Sequence, residues 1–177
     1  MKRITETKRL ILRELTVADA LHFFQLNSNP DVLRYTGDVP FKSISEAGNF
    51  LENYREYENN GYGRWAVISK DSGVFLGWCG LKLNEENWVD LGYRFFQEEW
   101  GKGYATESAA ASLDYGFNHL NIKEIIGRSD MRNLASIRVL EKLGMHFWKK
   151  DKCPGIENTV YYRITKAQYQ RRLSSSN

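Results

Sequence analysis

Val89-Asp90-Leu91-Gly92-Tyr93-Arg94-Phe95-Phe96-Gln97-Glu98-Glu99-Trp100-Gly101-Lys102-Gly103-Tyr104-Ala105-Thr106-Glu107 is the stretch on which the fold turns. Val89, Leu91, Tyr93 and Phe95 alternate with Asp90, Gly92 and Arg94. That period of two places one set on each face of a strand. From Ala105 the spacing changes. Ala105, Ala109, Leu113 and Phe117 recur at helical intervals, an apolar stripe for a helix ending near His119. Between strand and helix, Gly101 and Gly103 free the backbone to turn and to approach a ligand closely. The first amides of a helix have no intrahelical acceptor and sit at its positive end. Strand, glycine turn and helix start together suit a phosphate, with Lys102 adding charge at the rim. The same spacing also builds a plain tight turn. It is neither a Walker loop, since Gly-Lys-Ser/Thr is absent, nor the three-glycine dinucleotide fingerprint.

Outward from this stretch the pattern stays mixed. Residues 64–69 and 74–83 read as a hairpin that feeds the strand at 88–96. Upstream lie a strand at 8–13, a helix begun by Thr16, a short helical piece at 31–35, and a helix opened by Ser43 and Glu46. That last helix is expected to run to 59–61. Downstream come a strand at 124–129, a helix capped by Asn133 and stopped by Gly144, two closing strands at 145–150 and 159–165, and a helix at 166–173. The order β-α-α-β-β-β-α-β-α-β-β predicts an α+β domain: a twisted, mixed sheet of six or seven strands flanked by helices. Residues 1–177 read as one domain, with a core at about 8–172 and a frayed tail at 174–177.

Composition narrows the function. The 25 basic and 22 acidic residues leave a net charge of +3, less basic and less clustered than a dedicated nucleic-acid binder. Cys79 sits in an apolar run and Cys153 in an expected loop. Neither has metal-ligand spacing, so no metal site is expected. No stretch approaches the roughly 20 apolar residues of a membrane span, and the opening residues show no leader pattern. The expectation is a cytoplasmic protein without membrane or nucleic-acid partners. The 9 Phe, 5 Trp and 10 Tyr suit a large core or a groove that grips a ligand.

Gly92 to Glu107, as quoted, resembles motif A of the GNAT N-acetyltransferases, and most resembles the branch acting on ribosomal-protein N-termini (RimJ/RimL type). Arg9-Leu10-Ile11-Leu12-Arg13 resembles that branch's opening strand. Asn133-Leu134-Ala135-Ser136-Ile137-Arg138-Val139-Leu140-Glu141-Lys142-Leu143-Gly144-Met145 resembles its later motif. The likeness spans about residues 8–172. It implies the acyl-CoA N-acyltransferase fold, with a splay after the third strand of the central antiparallel meander. It implies acetyl-CoA as donor, its pyrophosphate on Gly101, Lys102, Gly103, Tyr104 and Ala105. The pantetheine arm would lie along the backbone of Tyr93 and Phe95, and Asn133 would reach it. Asn133 is equally a favoured helix cap. Arg132, Arg138 and Lys142 either meet the ribose phosphate or form a solvated face. Trp100 stands where many family members have Gln or Arg, and Trp occurs there in the named branch.

The resemblance implies direct transfer to an amine in a ternary complex, with strand amides as oxyanion donors. The acceptor expected is a peptide or protein N-terminal α-amine. The alternatives are a small amine (aminoglycoside, amino acid or polyamine) or a CoA-binding module without catalysis. Asp90 is the candidate base, acting through a water, with a surface ion pair to Arg94 as its other reading. The family's Tyr acid falls at Leu140, which has no proton to give, so Ser136 is the candidate acid. Glu107 sits in a first turn that favours an acid. Glu85 and Glu86 read as solvated, and His22, His119 and His146 as packing or surface. Tyr35, Phe41, Tyr57 and Tyr62 are expected on the acceptor side with Trp65 and Trp88, while Phe50 and Tyr54 face the core. Both a monomer and a homodimer fit the sequence.

Overall fold

Alternating strands with one apolar face pair into an eight-stranded sheet in a computed structural model that describes residues 2–175. The strands are β1 (Arg3–Glu6), β2 (Leu10–Glu14), β3 (Arg64–Ser69), β4 (Phe75–Leu83), β5 (Val89–Phe95), β6 (Glu124–Asp130), β7 (His146–Cys153) and β8 (Ile156–Thr165). Their spatial order is β1-β2-β3-β4-β5-β6-β8-β7. Only β5 and β6 run parallel; every other pairing is antiparallel. The helices are α1 (Ala20–Leu26), α2 (Pro30–Leu33), α3 (Ile44–Glu52), α4 (Glu56–Asn60), α5 (Tyr104–Asn118), α6 (Leu134–Lys142) and α7 (Lys166–Ser175).

The sheet separates two cores, as one apolar set per face requires. On one face Leu81, Leu91 and Phe95 pack with Leu113 and Phe117 of α5 and Leu140 of α6. On the other, Ala66 and Phe75 pack with Phe23 and Leu26 of α1 and Ala47 and Leu51 of α3. Of the expected stripe, Ala109, Leu113 and Phe117 are fully buried, while Ala105 is only partly buried.

Several local expectations are corrected. The sheet has eight strands because Arg3–Glu6, which lacks an apolar alternation, is held by pairing with β2. The helix from Ser43 stops at Glu52. There Asn53 bonds back to the Asn49 carbonyl (2.8 Å), and a separate α4 follows, ended by Gly61 at φ 76°. The break lets two tyrosines anchor the segment to the sheet: Tyr54 Oη accepts from Arg64 N–H (2.8 Å), and Tyr57 Oη donates to the Arg64 carbonyl. The Thr16 helix begins as a 3₁₀ turn, Val17–Asp19, before α1. Cys153 is the last residue of β7, not a loop residue, because the hairpin turns tightly at Gly155 (φ 79°). Of the expected tail 174–177, Ser174 and Ser175 extend α7, their hydroxyls donating to the carbonyls of Gln170 and Arg171. Residues 176 and 177 lie outside the described residues.

One feature of the sheet positions the site. β5 pairs with β4 along its whole length, from Val89↔Leu83 to Phe95↔Gly77. With β6 it pairs only at Asp90↔Ile126 and Leu91↔Gly127. From Gly92 onward the edge of β5 facing β6 is open, which is the expected splay.

Candidate active site

The splay opens into a cleft of about 830 Å³. Tyr93, Phe95, Gly101, Gly103, Tyr104 and Ala105 line it, and Asn133 and Ser136 close its far side. Gly101 and Gly103 hold φ of 76° and 83°, the left-handed region that glycine enters without penalty. No side chain caps the start of α5. The first amide of this helix to find a carbonyl is that of Glu107, on Gly103 (3.0 Å), so the amides ahead of it have no acceptor within the helix. A fifteen-residue helix thus presents free N–H groups and its positive end to the cleft. This is what a pyrophosphate requires, and the residues fit CoA.

Lys102 does not reach the cleft wall. Its ammonium pairs with Glu99 (2.9 Å) and only its carbonyl serves the loop, accepting from Arg9 (3.1 Å). Arg9 stands at this loop, a position that its place in the opening strand did not announce. Its guanidinium also pairs with Glu107 (2.6 Å) and lies 4.5 Å from the centre of the Tyr104 ring. It therefore braces the glycine loop against the first turn of α5. Burial pushes the Glu107 carboxyl up, but bonds from Thr7 and Arg9 outweigh it and hold the group below the usual range. Arg138, Lys142 and Arg132 all line the cleft, but Arg132 is committed to a two-point contact with Asp130 (2.9 and 2.7 Å). Tyr35, expected on the acceptor side, lies here instead, with Arg132 over its ring. Trp100 is half exposed and its indole donates to the Phe95 carbonyl (3.0 Å), tying the loop back to β5.

At the start of α6, Asn133 Oδ1 accepts from Ser136 N–H (3.1 Å), a helix cap in the cleft wall. Tyr93 Oη donates to the Ser136 carbonyl (2.9 Å) and lies 3.1 Å from the Ser136 hydroxyl. Burial pushes the Tyr93 phenol far up, so it keeps its proton. Leu140 is buried against Gly127 and faces the core.

Asp90 lies on the other side of β5, only 6% exposed. Its expected surface pair with Arg94 is not formed. Asp90 Oδ2 accepts from Arg64 (3.1 Å) and Arg128 (3.2 Å), while Oδ1 has no partner. Arg94 turns instead to Asn27 and to Asp38 (2.5 Å). The register explains the clamp. Arg64, Gly80 and Gly92 stand in one cross-strand row; the Gly80 carbonyl accepts from the guanidinium, and Gly92, without a Cβ, leaves it room to reach Asp90.

Asp90 lines a second pocket of about 700 Å³, walled by Phe23, Phe41, Phe50, Tyr54 and Trp78. Phe41, expected on the acceptor side, lines this pocket. Phe50, expected in the core, is 43% exposed and forms part of this wall. Trp65, expected in the groove, is fully buried, edge-on to Tyr115. Trp88 packs on Trp148. Trp78 was missed, although a signal existed: it pairs across from Arg94, so it shares the Asp90 face. Arg94 lines both cavities, which lie on opposite sides of β5.

No group of three or more potential metal ligands exists among the described residues. No helix there is long and apolar enough to cross a membrane. His22 and His119 stack on Phe75 and Tyr115.

Residues 9–146 match the family model described as an acetyltransferase (GNAT) domain. The uncharacterized protein YkkB of Bacillus subtilis is 37% identical over 149 residues, 81% of this chain and 85% of that one. The spermidine N(1)-acetyltransferase of Escherichia coli K12 is 31% identical over 138 residues, 75% of this chain and 70% of that one. Among solved structures, a GNAT acetyltransferase from Bacillus anthracis superposes with a TM-score of 0.79 at 27% identity, covering 93% of this chain and 99% of its own. With the splayed β5, the glycine turn and the free amides of α5 in place, the chain belongs to the GNAT family of acetyltransferases.

Proposed function

We propose that this enzyme transfers the acetyl group of acetyl-CoA directly to a primary amine that enters beside Asp90, and that the amine is an α-amine. One observation carries the reading: β5 parts from β6 after Leu91, with a phosphate-suited cleft on one side of that strand, the Asp90 pocket on the other, and Arg94 in the lining of both. When bound, acetyl-CoA supplies the thioester that the amine attacks.

The chain's own residues divide the work. Gly101, Gly103, Tyr104 and Ala105 offer backbone to the pyrophosphate, and the open edge of Tyr93 and Phe95 offers it to the pantetheine arm. The amine must be neutral to react, and an α-amine titrates near 7.7–8.0, well below a lysine. Asp90 Oδ1, the free oxygen of a clamped carboxylate, orients the amine and accepts its proton, directly or through a water. The Ser136 hydroxyl, held by Tyr93, supplies a proton on the leaving side.

The α-amine of a peptide is the acceptor that the resemblance suggests. A small-molecule amine is the second reading. The related spermidine enzyme is consistent with a small acceptor.

Thiol release from acetyl-CoA over a panel of peptides and small amines tests the proposal. Saturable release with at least one primary amine is expected, with acetyl-CoA raising the melting temperature. Absence of any thermal shift with acetyl-CoA overturns the cofactor assignment. Tight binding without turnover on any amine favours a CoA-binding module instead.

A further inference from the structure

The chemistry of the Asp90 pocket narrows the acceptor, on the reading that this pocket receives the amine. Four carboxylates line it, and each already faces a cation of the same pocket. Asp38 meets Arg94 (2.5 Å), Glu56 meets Lys82 (3.8 Å), Glu85 meets Arg128 (3.5 Å), and Asp90 Oδ2 is shared by Arg64 and Arg128. A polyamine brings several ammonium groups and needs a spaced set of free carboxylates. Among the described residues this pocket keeps one buried carboxylate oxygen without a partner, Asp90 Oδ1.

What the pocket lacks is acceptors. Trp78 Nε1 and Asn84 Nδ2 are buried donors without partners, and both residues line the cavity. The Asn84 amide cannot be turned round to relieve this. Its Oδ1 already accepts from the N–H groups of Glu86 (3.0 Å) and Trp88 (2.8 Å), where an amino group would meet two donors. A buried donor left unmade is costly, so an incoming oxygen that reached either donor would be favoured.

The floor is also short of negative charge. The side chains of Arg64, Arg94 and Arg128 are only 10–16% exposed, and one buried carboxylate, Asp90, stands among them. The carboxylates that complete the pairing, Asp38 and Glu85, are 57% and 68% exposed and belong to the rim. Burial holds Arg94 below the ordinary arginine value, and the like charge of Arg64 adds to it, despite the bond to Asp38. Arg94 and Arg64 both lie over the Trp78 ring, at 5.2 and 5.4 Å from its centre. The acceptor deficit and the excess of buried guanidinium over buried carboxylate therefore coincide at Trp78 and Arg94.

We infer that the acceptor is an amine that carries a carboxylate, the amine meeting Asp90 Oδ1 and the carboxylate meeting the Trp78–Arg94 side of the pocket. Such a ligand supplies the one donor and the anionic oxygens that the walls lack. The aromatic wall of Phe23, Phe41, Phe50 and Tyr54 would hold its apolar body.

Two measurements test this. Calorimetry on the CoA-saturated protein compares 3-phenylpropionate with 2-phenylethylamine, which share a ring and differ in carboxylate against amine. The acid is expected to bind at least tenfold tighter. Turnover then compares L-phenylalanine, L-phenylalaninamide and spermidine. The acid is expected to exceed its amide at least tenfold in kcat/KM, with spermidine last, and Trp78→Phe, which keeps a ring but deletes the donor, is expected to shrink the acid-to-amide ratio at least threefold. Binding of the acid no tighter than the amine, an amide as good as the acid, or spermidine ahead of both overturns the inference. If the acid binds preferentially yet no amine is acetylated, the carboxylate site stands and the acetyl-transfer reading falls.

Discussion

The guanidinium of Arg64 lies directly over Gly92: a Cβ at position 92 would sit 2.6 Å from Arg64 Cζ. Arg64 cannot give way freely, because it also donates to the Gly80 carbonyl (2.6 Å), the Asp90 carbonyl (2.8 Å) and Asp90 Oδ2 (3.1 Å). Gly92 is the first residue of β5 beyond its pairing with β6, so this contact sits where the splay begins. Gly92→Ala is therefore expected to push the clamp off Asp90. A misplacement of about 1 Å at a reacting group can cost on the order of a hundredfold. The expected result is a fall of about ten- to a hundredfold in kcat/KM for the amine, with the acetyl-CoA dissociation constant unchanged. Steady-state kinetics beside calorimetry check it. An equal loss in acetyl-CoA affinity would place the effect in the cofactor cleft instead.

Gly103 makes the complementary prediction. Its φ of 83° is costly for any residue with a Cβ, by roughly 1–2 kcal/mol, and it directs the amides that follow it. Gly103→Val is expected to weaken acetyl-CoA binding by at least about tenfold, the equivalent of 1.4 kcal/mol. Calorimetry with acetyl-CoA measures it directly. Unchanged affinity would sink the phosphate-loop placement. Lys102→Ala is expected to change that affinity far less, because its charge is spent on Glu99.

These two glycines differ in how far the sequence announced them. Gly101 and Gly103 were legible because strand, turn and helix are local patterns, and the stripe of Ala109, Leu113 and Phe117 fixed which side of α5 faces inward. Asn133 was legible as a cap for the same reason. The clamp on Asp90 was not. Its partners Arg64 and Arg128 lie 26 and 38 residues away in the chain, and they reach it only through the register of β3, β4, β5 and β6. Nor was Arg9 legible as the brace of a loop almost a hundred residues on. Lys102 misled because a lysine in a glycine turn reads as an anion ligand until Glu99 is seen beside it.

The Tyr93–Ser136 contact separates a catalytic hydroxyl from a structural one. The cap of α6 uses the Asn133 side chain and the Ser136 N–H, so Ser136→Ala keeps the cap and removes only the hydroxyl. If Ser136 supplies a proton, kcat is expected to fall by about a hundredfold, within the usual range for a general acid, while acetyl-CoA affinity holds. Tyr93→Phe is expected to lower kcat less, since it only positions that hydroxyl. Burial keeps the Tyr93 phenol protonated, so the alkaline limb of the pH–rate profile is expected to be the same in wild type and Tyr93→Phe. A kcat unchanged in Ser136→Ala would remove Ser136 from the mechanism.

Stability has its own electrostatic test at Asp19, which is 4% exposed beneath the first helix. Both its oxygens accept from Arg13 (2.6 and 2.8 Å), and Thr16 N–H adds a third bond (2.9 Å). Burial raises the carboxyl, but these bonds outweigh it and hold the group below the ordinary aspartate value. A carboxyl lowered in the folded state stabilises the protein above its unfolded value, about pH 3.9, and that contribution is lost as pH falls through the lowered native value. Asp19→Asn strands the Arg13 guanidinium, and breaking such a buried pair costs about 3–5 kcal/mol. At pH 7 the variant is therefore expected to unfold at lower denaturant, with the slope of the transition unchanged. As pH falls below about 4 the gap between the two proteins is expected to narrow, and it closes only below the lowered native value, where wild type has lost the same charge. A gap as wide at pH 3 as at pH 7 would show that packing, not the ion pair, is what Asp19 contributes.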